Sequence, residues 1–214
     1  MQVSKCRECK LPANCRPQLR PPGPNYKKGG IVFVQINPGY IGVMDKSEIQ
    51  KKYKREKSQL LAEKKIMEAN ESLKVQEQFL KTPSWDNYSR LVEQLQKARN
   101  SWGWPEGKFR KTIEEHGVEL KDVAIINLAQ CPVENNKFEK ILKPCFEKWF
   151  LEMMNCLEPV ALVAQGKEVF NFLNKADVPQ GLKLIEGVHH AFRGSNEIKQ
   201  GILNKARTRI EKLI

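Results

Sequence analysis

The chain has 214 residues, enough for one sizeable hydrophobic core and too few for two ordinary domains, so one domain carrying an insertion is expected. Lys and Arg outnumber Asp and Glu by 37 to 25, a formal charge of +12, which favours polyanionic partners, nucleic acid first. No apolar run approaches the roughly 20 residues that cross a bilayer and none opens the chain as a signal peptide would, so a cytoplasmic protein with no membrane partner is expected.

In chain order, the first segment carries Cys6, Cys9 and Cys15 and then the run Arg20-Pro21-Pro22-Gly23-Pro24, which disfavours regular structure. Ile31-Val32-Phe33-Val34-Gln35-Ile36 is β-branched and apolar and ends at Asn37-Pro38-Gly39, the pattern of a buried strand entering a turn. Residues 45–81 are dense in Lys, Glu and Gln without Gly or Pro and read as a long, mostly solvated helix. An amphipathic helix over 85–102 and a short one over 108–116 follow, so that a helical insertion covers about 45–116.

Beyond it the pattern alternates. Strands are expected over 123–128, 159–164 and 182–188, and helices over 138–157, 166–173 and 196–213. Alternation at this spacing predicts an α/β fold, a three-layer α/β/α sandwich around a central, mainly parallel four-stranded sheet. Such sheets bind ligands at the carboxyl ends of their strands. That edge holds Asn37-Pro38-Gly39, the segment from Asn127 to Cys131, and His189-His190. No glycine-rich phosphate loop is present, so no nucleotide cofactor is expected.

Six cysteines in a chain expected in a reducing compartment point away from disulfides and toward metal. Cys6-Arg7-Glu8-Cys9 is a CxxC, and Cys131 and Cys145 supply a second pair. Four thiolates can enclose one zinc ion or one iron–sulfur cluster, and spacing alone leaves both open. Cys15 and Cys156 read as bystander thiols.

The order of these motifs resembles the iron–sulfur uracil-DNA glycosylases, the family 4 enzymes of the uracil-DNA glycosylase superfamily. The likeness covers most of the chain outside the helical insertion. The residues that carry it are Cys6-Arg7-Glu8-Cys9-Lys10-Leu11, the strand ending Gln35-Ile36-Asn37-Pro38-Gly39, the element Asn127-Leu128-Ala129-Gln130-Cys131, and Cys145. The resemblance implies a 4Fe–4S cluster on Cys6, Cys9, Cys131 and Cys145, with zinc as the alternative. It implies that a target nucleotide is flipped out of DNA into a pocket at the sheet edge, formed by Gln35, Ile36, Gly39 and Asn127, with Tyr40 either stacking on the flipped base or serving as a core or lid aromatic. Asn127 then reads the pyrimidine edge with its donor and acceptor in one plane.

Two departures stand out. Where the family carries a Glu this chain has Ile36, and Asn37 makes the loop similar to the Ile-Asn-Pro-Gly turn of the mismatch-specific thymine and uracil glycosylases, whose Asn positions the attacking water. Where the superfamily places His-Pro-Ser, this chain has His189-His190-Ala191-Phe192-Arg193. His190, or His189 beside it, is then the donor to the departing base, and Arg193 or Ser195 replaces the phosphate grip. Lys51, Lys52, Lys54, Arg55 and Lys57 either extend a DNA footprint or form a solvated face.

The resulting expectation is a monomeric, monofunctional DNA glycosylase of the repair type, acting on uracil or another modified pyrimidine and leaving an abasic site. The alternatives are a glycosylase-like protein that binds damaged or modified DNA without catalysis, a defence glycosylase acting on a bulky modified cytosine in foreign DNA, and a zinc-stapled scaffold unrelated to DNA.

Overall fold

A computed structural model describes residues 22–23, 25–36, 106–131 and 138–214, with the side chains of 106–109 and 138–140 left aside. The helices expected over 45–81 and 85–102 lie outside the described residues. Contacts divide the chain into two compact units, and the one formed by Arg20–Ile36, Pro105–Leu128 and Cys145–Ile214 carries the sheet.

Four strands are described: β1 (Ile31–Gln35), β2 (Ala124–Asn127), β3 (Ala161–Gln165) and β4 (Lys183–Gly187). All pair in parallel, in the order β2-β1-β3-β4. Every residue of β1, β2 and β3 is buried, which is why their sequences are continuous apolar runs rather than alternating ones. β4, at the edge, alternates from Leu184 on: Ile185 and Gly187 are buried, Leu184 and Glu186 half-buried. The α/β fold with a parallel four-stranded sheet is thus as the sequence predicts.

The helices are α1 (Glu106–Glu114), α2 (Phe138–Cys145), α3 (Leu151–Leu157), α4 (Lys167–Lys175) and α5 (Asn196–Glu211). Helices flank the sheet, α4 against β3 and β4 and α5 against β4. α5 also meets the end of α1, where Lys199 Nζ lies 2.7 Å from Glu115 Oε2 and Arg207 Nε donates to the Glu115 carbonyl at 2.6 Å. Phe146 meets Phe172 of α4 edge-on at 5.2 Å.

The helix expected to run unbroken over 138–157 is instead interrupted. Pro144 has no N–H to give, and the next turn, Phe146–Phe150, is π-helical, closed by the Leu151 N–H on the Phe146 carbonyl. Phe146 and Phe150 stack there at 4.9 Å and are buried with Trp149. The helical run stops at Glu158, a left-handed residue at φ 45° whose N–H returns to the Met154 carbonyl.

One contact fixes the sheet edge to α1. His116, fully buried just past that helix, places Nδ1 2.5 Å from the Thr112 carbonyl and takes the Val188 N–H on Nε2 at 3.1 Å. An Nε2 that accepts and an Nδ1 that donates define a neutral ring. Its edge meets Phe33 at 5.3 Å, and a Cβ on Gly187 would stand 3.0 Å from Nε2 and 2.6 Å from Val163 Cγ1, so only glycine fits. Burial pushes the His116 pKa below its ordinary value of 6.5, against the opposing pull of the Thr112 carbonyl.

The folded ring resists a proton that the unfolded chain accepts at the ordinary value. The contribution of His116 is therefore intact above pH 6.5 and is lost on acidification. Thermal unfolding of the wild type is expected to shift to lower temperature as pH falls below 6.5, more steeply than that of His116→Gln, whose amide does not titrate. Parallel slopes in the two proteins would assign the acid sensitivity to other groups.

Candidate functional site

Because all four strands run the same way, their carboxyl ends form one edge, and three of them finish in a carboxamide. Gln35 closes β1, Asn127 closes β2 and Gln165 closes β3. Gln35 stands in register with Asn127, and Val34 with Ala164, which brings Gln165 level with Gln35 on its other side. The three side chains are 4%, 1% and 1% exposed, so each is held in the core and not splayed into solvent.

Gln35 Nε2 donates to Gln165 Oε1 at 2.9 Å, and the Leu128 N–H donates to the Gln35 carbonyl at 2.8 Å. β2 and β3 lie on opposite sides of β1, so the strand order reverses between β1 and β3, the place where open parallel sheets take ligands. The Gln35–Gln165 pair sits at that point. Gln165 Nε2 itself exposes less than 1 Å² and has no hydrogen-bond partner. An unmet buried donor of this kind costs about 1–3 kcal/mol.

The histidine pair follows β4. A strand order of β2-β1-β3-β4 puts β4 three strand spacings from Asn127, roughly 14 Å. The pair leans back toward the middle, since a Cβ on Gly166, directly after β3, would touch His189 Cβ at 3.6 Å. Gly166 is the single residue between β3 and α4 and takes φ 102°, a conformation that favours glycine. The His189 carbonyl accepts from the Phe192 N–H at 2.9 Å and its Nδ1 accepts from the Ala191 N–H at 3.1 Å. The ring proton is therefore on Nε2. Burial lowers the His189 pKa, with Glu168 acting in the opposite sense. The His190 ring lies against it, centroids 4.1 Å apart and tilted by 39°.

No protein-family profile and no curated protein matches the chain. The likeness to glycosylases therefore rests on the residues quoted from the sequence. Of those, Asn37, Gly39, Tyr40, Cys6 and Cys9 lie outside the described residues, as do Cys15 and the lysine-rich run from Lys51 to Lys57. Ile36 is half-buried directly after β1. Cys131 and Cys145 are buried at 9% and 7% exposure, and Cys156 is exposed. Among the described residues no three potential ligands gather around a point, and two of the four cysteines that the resemblance implies fall outside that set. Arg193 is exposed, while Ser195 is engaged as the cap of α5, its Oγ accepting from the Ile198 N–H at 3.4 Å. No helix among the described residues is long and apolar enough to cross a membrane.

Sequence reasoning overlooked Gln165. It ends an apolar run of the same kind that ends in Gln35, and a polar residue closing a buried strand was the available signal. It also passed over His116, whose partner at Val188 is 72 residues away.

Nitrogen-15 spectra of the imidazoles are expected to show His189 protonated at Nε2 and bare at Nδ1 at pH 7, titrating below 6.5. A ring protonated at Nδ1 at neutral pH would break the turn assigned to Ala191.

Proposed function

We propose that the protein is a monofunctional DNA glycosylase, a member of the uracil-DNA glycosylase superfamily, that hydrolyses the N-glycosidic bond of uracil or another modified pyrimidine. The observation that carries this reading is the register of Asn127 with Gln35. It puts a planar donor and acceptor beside the strand end that Ile36-Asn37-Pro38-Gly39 follow in the sequence, two residues before Asn37. A flipped pyrimidine presents a complementary coplanar edge.

In this reading Asn37 holds the attacking water by hydrogen bonds. An oxocarbenium-like transition state asks little of its nucleophile, so a carboxylate in place of Ile36 is not essential. The leaving base gathers negative charge on a ring oxygen, and a donor from His189 or His190 stabilises it. A neutral imidazole suits that task, because it donates a hydrogen bond without carrying a charge into the buried edge. The charge of +12 supplies the long-range attraction to DNA, with Arg193 as a phosphate contact. No lysine is placed in the sequence motifs as a Schiff-base nucleophile, so base release without strand cleavage follows.

Cys131 and Cys145 are soft, buried donors of the kind the implied cluster takes. A cluster on Cys6, Cys9, Cys131 and Cys145 would tie the proline-rich first segment to the later chain and would supply stability, with no part in bond cleavage.

Purified protein incubated with duplex and single-stranded oligonucleotides bearing uracil, mismatched thymine or modified cytosines is expected to leave alkali-labile abasic sites. Asn37→Ala and His190→Ala should lower the rate by roughly 100-fold or more, and Asn127→Ala by roughly 10- to 100-fold. The preparation should be brown and contain iron, lost in Cys145→Ser. Tight binding without release from any oligonucleotide would replace this reading with that of a DNA-binding protein lacking catalysis.

A further inference from the structure

Nothing in the proposed chemistry uses Gln165, yet it carries an unmet polar atom in the core. Its Nε2 exposes less than 1 Å² and meets no acceptor, while the rest of β3, from Ala161 to Ala164, is apolar and fully buried. Leu or Met at this position would continue that core without an unmet donor, since replacing paired buried polar groups by apolar ones of similar shape is often neutral or stabilising. Polar groups left unmet inside a folded chain are rare and call for a specific explanation.

The placement supplies one. Gln165 ends its strand at the point where the strand order reverses, and its Oε1 is occupied by Gln35 Nε2 at 2.9 Å. That bond sets the plane of the carboxamide and leaves Nε2 as the group it can offer. Glycine follows directly, so no side chain at position 166 screens the strand end. We infer that Gln165 is a specificity-determining residue whose Nε2–H, oriented by Gln35, donates a hydrogen bond to an acceptor of the bound ligand, of the type of a pyrimidine carbonyl oxygen. The nature of that ligand rests on the glycosylase reading. A ligand lacking the acceptor leaves the amide unpaired and is rejected, which is a stronger filter than shape alone.

The test uses the full chain and three readouts. Gln165→Met removes the donor, and Gln35→Met with Gln165→Met removes both carboxamides at once. The double variant is expected to melt at the wild-type temperature or above it, while KM for a uracil-containing duplex rises roughly 10-fold, the effect of one hydrogen bond. The side-chain amide signals of Gln165, assigned by their loss in Gln165→Met, are expected to shift when free uracil is added to the wild type.

Unchanged KM in both variants, with amide signals that uracil does not move, would assign the pair to packing around a trapped water and overturn the inference while base release by the wild type left the glycosylase reading standing. A double variant that melts lower with unchanged KM overturns it equally. If the wild type releases no base, the glycosylase reading fails. In that event Gln165 signals that still move with free uracil sustain the inference, and signals indifferent to uracil, thymine and cytosine end it.

Discussion

β1 lies between two parallel neighbours and exposes nothing on either face, so every backbone group from Ile31 to Gln35 must be bonded along the sheet and every side chain must be apolar or paired. A strand under that constraint can carry a polar side chain at its end and nowhere else. β3 also lies between two neighbours, β2 is as fully buried although it has one, and all three finish in a carboxamide. What looks like a choice of functional residues is first a consequence of burial. The parallel direction then gathers these groups at one edge, and the reversal of strand order sets Gln35 against Gln165.

The opposite side of that edge is held by a different device. β4 is an outer strand with one neighbour, and the residues after it must be anchored by something other than a ladder. The Val188 N–H on His116 and the Gly166 N–H on the Gly187 carbonyl do this, with Gly187 permitting the approach. His116 in turn is held by Thr112 and Phe33. The turn bearing His189 and His190 is thereby fixed at its base by the core, so that the rings inherit their position from packing rather than from their own exposed contacts.

Strands and helices were legible because their signals are local. The runs at Ile31, Val123, Pro159 and Leu182 each became a strand within about two residues of the expected limits. The π-helical turn was not legible: Pro144 announces a lost hydrogen bond but not how the following turn absorbs it. Neither was the strand order, which turns on the pairing of β1 with β3, where Ile31 meets Ala161 130 residues away. At the site, His189, His190 and Asn127 could be singled out because strand ends are visible as changes of composition. Gln165 and His116 could not be weighed in the same way, because a carboxamide closing a strand and a histidine closing a helix acquire meaning only from the partner each meets or fails to meet.

Net charge and the strand-end amides act at different ranges, and the structure separates their residues. On α5, Lys199 and Arg207 are half-buried and committed to Glu115, while Lys205, Arg209 and, just past its end, Lys212 are exposed. The first two join helices and contribute little to the outer field. The others belong to the excess that would draw a polyanion over roughly a Debye length, about 10 Å in ordinary buffer. Such attraction is blind to sequence and weakens as salt rises. Under the proposed reading, selection among bases comes from groups sheltered from that screening, and the buried row of Asn127, Gln35 and Gln165 is so placed. Added salt should therefore weaken the capture of DNA far more than the discrimination between one base and another, a division of labour that follows from where each set of polar groups is buried.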